Sequence, residues 1–256
     1  LPLIFSVLRE LTQVLLKEDL TFTQRLLRQN ARPRVHLAVT HEEAEAVFAE
    51  FQDNLLGIIT DASFPRGGSV DPQAGIRFVK KVLAGKPHLP VLLQSSDEGA
   101  EIMAGEAGIP FLSKNSPTLL RDLKRFLSGH FGFGDLVVPG AGAAAETRFA
   151  TLDQLFSVCG DLPDESVRQV LASGALDRWL RARTEFALAD SLQRDFAAGP
   201  QPGARLKQLI ADARAASRRG SIVPYSRSFH EEHSQFSIIG SGSIGGKARG
   251  LAFMDR

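Results

Sequence analysis

With 256 residues, 43% hydrophobic and 23% charged, the chain has room for one large domain or two small ones of ordinary globular composition. A net charge of +1 argues against nucleic acid or an anionic membrane as the main partner. The single cysteine, Cys159, excludes an intrachain disulfide framework and suits a reducing, cytoplasmic setting, and no CxxC or HExxH spacing offers a structural zinc site.

The chain opens on LPLIFSVL, apolar but short, with Arg9 and Glu10 directly behind it. It lacks the flanks of a signal peptide and the length of a membrane span. A start of this kind suits a piece cut from a longer protein. Leu3, Ile4, Val7, Leu8, Leu11, Val14, Leu15 and Leu16 recur at helical spacing, and Leu20, Phe22, Leu26 and Leu27 continue the pattern. Residues 1–30 are therefore expected as one long amphipathic helix, which Pro33 stops. It would pack on a sheet, and its surplus length also suits a dimer contact.

Val35–Val39 reads as a short strand. Thr40 and Glu43 form a capping-box pattern for the next helix, whose apolar stripe is Ala44, Val47, Phe48 and Phe51. Leu55–Thr60 is a continuous apolar run, expected as a strand buried on both faces of a parallel sheet. It ends at Asp61, with Pro65, Gly67 and Gly68 shaping the loop beyond. Asp71-Pro72 opens a helix that buries Ile76, Phe78, Val79 and Val82. Pro90–Gln94 is a strand ending in Ser95-Ser96-Asp97. Ala100–Ala107 is a helix with little apolar content. Pro110–Ser113 is a strand ending at Lys114, and Thr118–Leu127 is a closing helix.

The alternation implies a doubly wound parallel α/β sheet. In such sheets ligands bind at the carboxyl ends of the strands. Three successive strand ends there carry Asp61, Ser95 and Lys114. Each alone is an ordinary residue: a turn aspartate, a helix-start serine, a surface lysine. Together they form a set. A carboxylate is a nucleophile toward phosphorus when a cation neutralises the developing charge. A hydroxyl beside it can hydrogen-bond the phosphoryl group in one state only.

This order, the D-x-x-x-P-x-x-G form of Asp61 to Gly68, and the PVLLQS strand resemble the response-regulator receiver family over roughly residues 1–128. The resemblance implies a receiver-like (flavodoxin-like) domain. It makes Asp61 the phosphoacceptor, Ser95 the switch hydroxyl and Lys114 the cation paired with the acyl phosphate. It also implies a histidine kinase or other phosphodonor protein as partner, and Mg2+ held partly by Asp61. Two departures stand out. The family's first strand, with its acidic pair, has no counterpart in this sequence, which leaves the metal site incomplete. Asn115 replaces the proline that follows the family's lysine, and a proline comes only at Pro117.

Residues 129–150 are rich in glycine and alanine and read as a linker. Residues 151–220 carry helical patterning around Leu155, Val167, Trp179, Leu192 and Leu206, a helical connector. Arg178, Arg181 and Glu185 are expected as a solvated ion-pair face, with an anion site as the alternative. Ile222-Val223 and Phe236–Ile239 suggest strands in residues 221–256. Gly240–Lys247 then satisfies G-x-G-x-x-G formally. It lacks the later acidic strand of a dinucleotide fold, and Ser241 and Ala248 depart from a Walker A loop. GSGSIGGKARGLAFM is similar to the start of the nucleotide-binding domain of phosphoenolpyruvate synthase and pyruvate phosphate dikinase. That resemblance nominates Gly245, Gly246 and Lys247 as phosphate contacts. ATP binding is expected only with the rest of the dikinase-like chain. The expectation is a phosphorelay regulatory module ahead of such an enzyme. The alternative is a pseudo-receiver that binds a partner protein without phosphoryl chemistry.

Overall fold

The computed structural model describes residues 2–16, 28–29, 31, 33–140, 145–195, 200–218, 222–224 and 236–238. Helix α1 (Pro2–Leu15) begins the chain, and its apolar stripe buries Val7, Leu11 and Leu15. Leu20, Phe22, Leu26 and Leu27, expected to continue it, lie outside the described residues. Helix α2 (His41–Phe51) starts as its sequence predicts: the Glu43 N–H donates to Thr40 Oγ1, and the Glu43 carboxylate accepts from the Val39 N–H.

Strand β1 (Ile58–Asp61) leads to a hairpin, β2 (Phe64–Arg66) and β3 (Ser69–Asp71), and then to helix α3 (Ala74–Gly85). The hairpin was not expected. Its signal is Gly67-Gly68, both with positive φ, as a two-residue primed turn requires. Strand β4 (Val91–Ser95), helix α4 (Glu98–Glu106), strand β5 (Phe111–Ser113) and helix α5 (Leu119–His130) follow.

β1, β4 and β5 form a parallel sheet in that order. Strand side chains alternate between faces, and here both faces are covered. Val91 and Leu93 join Val79, Val82 and Ala104 in one cluster, and Leu92 joins Val7, Leu123 and Leu127 in another. Helices α3 and α4 thus close one side, and α1 and α5 the other. The molecule is α/β with a three-stranded parallel sheet.

Val35–Val39 does not form the expected strand. Residues 33–38 are irregular, and Leu37 and Val39 are more than half exposed. A strand needs a neighbour for its N–H and C=O groups. A cavity lies between this segment and β1, and it leaves that neighbour out.

Residues 129–150, read from sequence as a linker, carry an antiparallel ribbon of β6 (Leu136–Val138) and β7 (Thr147–Phe149). Phe131, Phe133, Leu136, Val138 and Phe149 are buried. Glycine-rich composition concealed five well-spaced apolar anchors. Beyond them come α6 (Leu152–Val158), α7 (Asp164–Ala172), α8 (Ala175–Ala182), α9 (Phe186–Asp195) and α10 (Pro202–Arg218). They pack around Trp179, Leu180, Leu206 and Ile210.

The expected solvated face at Arg178 and Arg181 is overturned. Arg181 is buried between Asp177 and Asp190. Arg178 donates to the backbone carbonyls of His130 and His88. Helical spacing leaves no mark of the α/β-layer carbonyls that Arg178 meets or of the two aspartates that enclose Arg181. Strands β8 (Ile222–Pro224) and β9 (Phe236–Ile238) pair in parallel. No helix among the described residues is long and apolar enough to cross a membrane.

Candidate functional site

Asp61 ends β1, opposite Gln94 on β4, and Ser95 is opposite Ser113 on β5. The three strand ends therefore share one rim. The Lys114 N–H donates to the Ser95 carbonyl at 2.8 Å, which extends the β4–β5 pairing by one step. From there the Lys114 side chain crosses the width of β4, and its Nζ lies 2.7 Å from Asp61 Oδ1. Ser95 sits on the strand being crossed. Its Oγ accepts from the Asp97 N–H at 3.1 Å, so the hydroxyl proton points elsewhere and is available as a donor. Carboxylate, hydroxyl and ammonium thus stand on three adjacent strand ends.

Other residues shape this rim. The Ala62 N–H donates to the Gln94 carbonyl, and the Gly75 N–H to the Ala62 carbonyl. A Cβ on Gly75 would come within 2.0 Å of the Asp61 carbonyl oxygen, so only glycine lets α3 press this closely behind Asp61. The sequence reading missed Gly75. Its one signal was a glycine in the first turn of a helix, where glycine is otherwise disfavoured. Asn115 donates from Nδ2 to the Ser96 carbonyl and so ties the β5 loop to the β4 loop. Glu42 accepts from the Gly67 N–H at 2.9 Å, anchoring the hairpin to α2, and that bond lowers its carboxyl pKa.

Asp61, Thr60, Gln94 and Lys114 also line the polar end of the cavity beside β1.

No family model matches the chain, and no curated protein or solved structure gave a match.

A divalent hard cation takes several oxygen ligands. Among the described residues no three His, Cys, Asp or Glu side chains group to hold a metal. Asp61 supplies one carboxylate, with Oδ1 already on Lys114. These residues alone do not make a Mg2+ site. Gly245, Gly246 and Lys247, the nominated nucleotide contacts, lie outside the described residues.

The arrangement has two chemical capacities. Lys114 can hold negative charge at the place where Asp61 would carry a transferred group. Ser95 can donate to that group from the intervening strand.

Proposed function

We propose that the chain is a receiver-like regulatory module that accepts a phosphoryl group on Asp61. The observation that carries this reading is the 2.7 Å contact between Lys114 Nζ and Asp61 Oδ1 across β4. An Asp61 carboxylate oxygen attacks the phosphorus of a phosphohistidine or of a small acyl phosphate. The new P–O bond forms as the donor's P–N or P–O bond breaks. The leaving imidazole or carboxylate keeps the bonding electrons, and the imidazole also takes up a proton. Lys114 offsets the added charge, and its ammonium moves from the carboxylate to the phosphoryl oxygens. Ser95 donates its hydroxyl to the same oxygens. The change in the Ser95 and Lys114 loops then reaches α5, which begins beyond Lys114.

The helical block receives that change, because Arg178 is bonded to the carbonyl of His130 at the end of α5. The glycine-rich sequence from Gly240 to Lys247 supports placing the module ahead of a phosphoenolpyruvate-synthase-like nucleotide-binding domain. The phosphodonor protein and that downstream enzyme are the proposed partners.

Incubation with acetyl phosphate and Mg2+, followed by intact mass measurement, tests the reading. One added phosphoryl group is expected, and none on the Asp61→Asn variant. No gain, or a gain that survives the substitution, removes the proposal. A second reading, a binding module without phosphoryl transfer, is favoured by two exposed apolar side chains on elements flanking the rim. These are Val70 on β3, 68% exposed, and Ile102 on α4, 65% exposed. Under that reading partner binding is unchanged in Asp61→Asn and weakened in a Val70→Ser, Ile102→Ser double variant.

A further inference from the structure

β4 and β5 stop pairing at the same step. Ser95 and Ser113 stand opposite each other at the two strand ends. Beyond them the Lys114 N–H still donates to the Ser95 carbonyl at 2.8 Å. In a parallel ladder the next bonds would run from the Asp97 N–H to the Lys114 carbonyl, and from the Ser116 N–H to the Asp97 carbonyl. Both donors go elsewhere. The Asp97 N–H donates to Ser95 Oγ at 3.1 Å, and the Ser116 N–H turns back to the Ser113 carbonyl at 3.1 Å.

Each strand therefore ends in a small turn closed by its own serine. Ser95 Oγ accepts from the N–H two residues on, and Ser113 Oγ does the same from the Asn115 N–H at 3.3 Å. Such a turn satisfies its backbone locally and gives up its hold on the neighbouring strand. From this point the loop behind Ser95 and the loop behind Lys114 have no ladder to keep them together.

One side chain bridges them. Asn115 Nδ2 donates to the Ser96 carbonyl at 3.3 Å. Consecutive carbonyls of the β4 loop, Ser95 and Ser96, are thus held by consecutive residues of the β5 loop, Lys114 through its N–H and Asn115 through its carboxamide. Asparagine supplies two donors here, a main-chain N–H for Ser113 and a side-chain N–H for Ser96. A proline at this position would supply neither.

The consequence concerns the two groups that meet charge on Asp61. Ser95 sits on one loop and Lys114 begins the other. A phosphoryl group that draws in the Ser95 hydroxyl also moves the Ser95–Ser96 peptide, and Asn115 holds the carbonyl next along. Asn115 is itself covalently joined to Lys114. We infer that Asn115 is a positioning residue: its carboxamide fixes the Ser95 loop against the Lys114 loop, so that hydroxyl and ammonium engage the phosphoryl oxygens as one unit. It acts through Ser95 and not on the phosphoryl group itself. The inference rests on the reading of Asp61 as phosphoryl acceptor.

A double-mutant cycle with Ser95 tests it. Asn115 and Ser96 are exposed, so their hydrogen bond has little weight in folding, and Asn115→Ala should melt with the unaltered protein. The maximal rate of phosphoryl uptake from acetyl phosphate and Mg2+, followed by intact mass, should fall about threefold or more, with the half-saturating concentration unchanged. In a Ser95→Ala background the same substitution should cost nothing further, because no hydroxyl is left to place. An equal loss in both backgrounds, no loss in either, or a change confined to the half-saturating concentration overturns the inference. If the unaltered protein takes up no phosphoryl group, the acceptor reading falls, and amide exchange decides the role of Asn115 by itself. The Asp97 amide, bonded to Ser95 Oγ, should exchange about threefold or more faster in Asn115→Ala. Equal exchange in the two proteins overturns the inference.

Discussion

Lys114 holds Asp61 across β4 with both side chains partly open to solvent, 39% and 51% exposed. A pair so placed contributes little to folding, between about 0 and 1 kcal/mol. On the proposed function its worth lies in chemistry. Lys114→Ala is therefore expected to change the melting temperature little, while slowing phosphoryl transfer to Asp61 by at least about tenfold. An equal loss of stability and transfer would make the lysine structural. Gly75 shows the opposite balance. Gly75→Ala forces its methyl group into the Asp61 carbonyl, and overpacking of this kind costs about 1–3 kcal/mol, measurable by urea denaturation. Cys159 is fully buried, and that burial pushes its thiol pKa up. It should resist alkylation in the native protein at pH 8 and react at once in denaturant. Rapid native labelling would contradict the packing around it.

At the scale of elements, α5 links the rim to the rest of the molecule. Its first turn carries Asp122, which accepts from the Thr118 hydroxyl. That bond holds the Asp122 carboxyl below the usual carboxylate range, with Arg125 and Arg121 assisting. A depressed carboxyl binds fewer protons folded than unfolded, so stability rises with pH across the interval between its two pKa values. The contribution is complete above about pH 4 and is lost as pH falls through the folded value. Asp122→Asn should thus flatten the acid limb of the stability curve, followed by circular dichroism, and leave pH 7 nearly unaffected. An unchanged acid limb would assign that limb to other carboxyls.

Elements also show what the sequence made legible. The three parallel strands and the helices between them follow from apolar runs ending in Asp61, Ser95 and Lys114. The Thr40 cap follows from its box pattern. Val35–Val39 has strand composition but no ladder partner, and strand residues without a neighbour do not declare that lack. Gly67-Gly68 marked a hairpin that the proline and glycines disguised as plain loop. For the site, residue types at strand ends located the carboxylate and the lysine. The tight backing by Gly75 and the Asn115 bridge depend on distances between segments far apart in sequence.

At the scale of the whole molecule, the helical block is joined to the α/β layer through arginine side chains on backbone carbonyls. Arg183 donates to Gly132, Gly134 and Ala150, and its guanidinium stacks on Trp179 at 4.1 Å. Ala182 enters the same apolar cluster as Leu123 and Leu127. Composition alone suggested separate pieces, because a periodic helix pattern says nothing about which carbonyls its arginines meet. Arg183→Met keeps much of the apolar contact but removes the donors to the Gly132 and Ala150 carbonyls, while the Gly134 carbonyl keeps Trp179 Nε1. It should lower stability by about 1–3 kcal/mol and loosen both units together in thermal unfolding. Two separated transitions already present in the unaltered protein would contradict that coupling.

The central claim is that Asp61 takes a phosphoryl group, and it is tested most directly by trapping the bond. An aspartyl phosphate is reduced by borohydride to homoserine. After exposure to acetyl phosphate and reduction, peptide sequencing should find homoserine at position 61 and aspartate at every other acidic position of the rim. Aspartate retained at position 61, or homoserine at Asp97 in its place, would contradict the account.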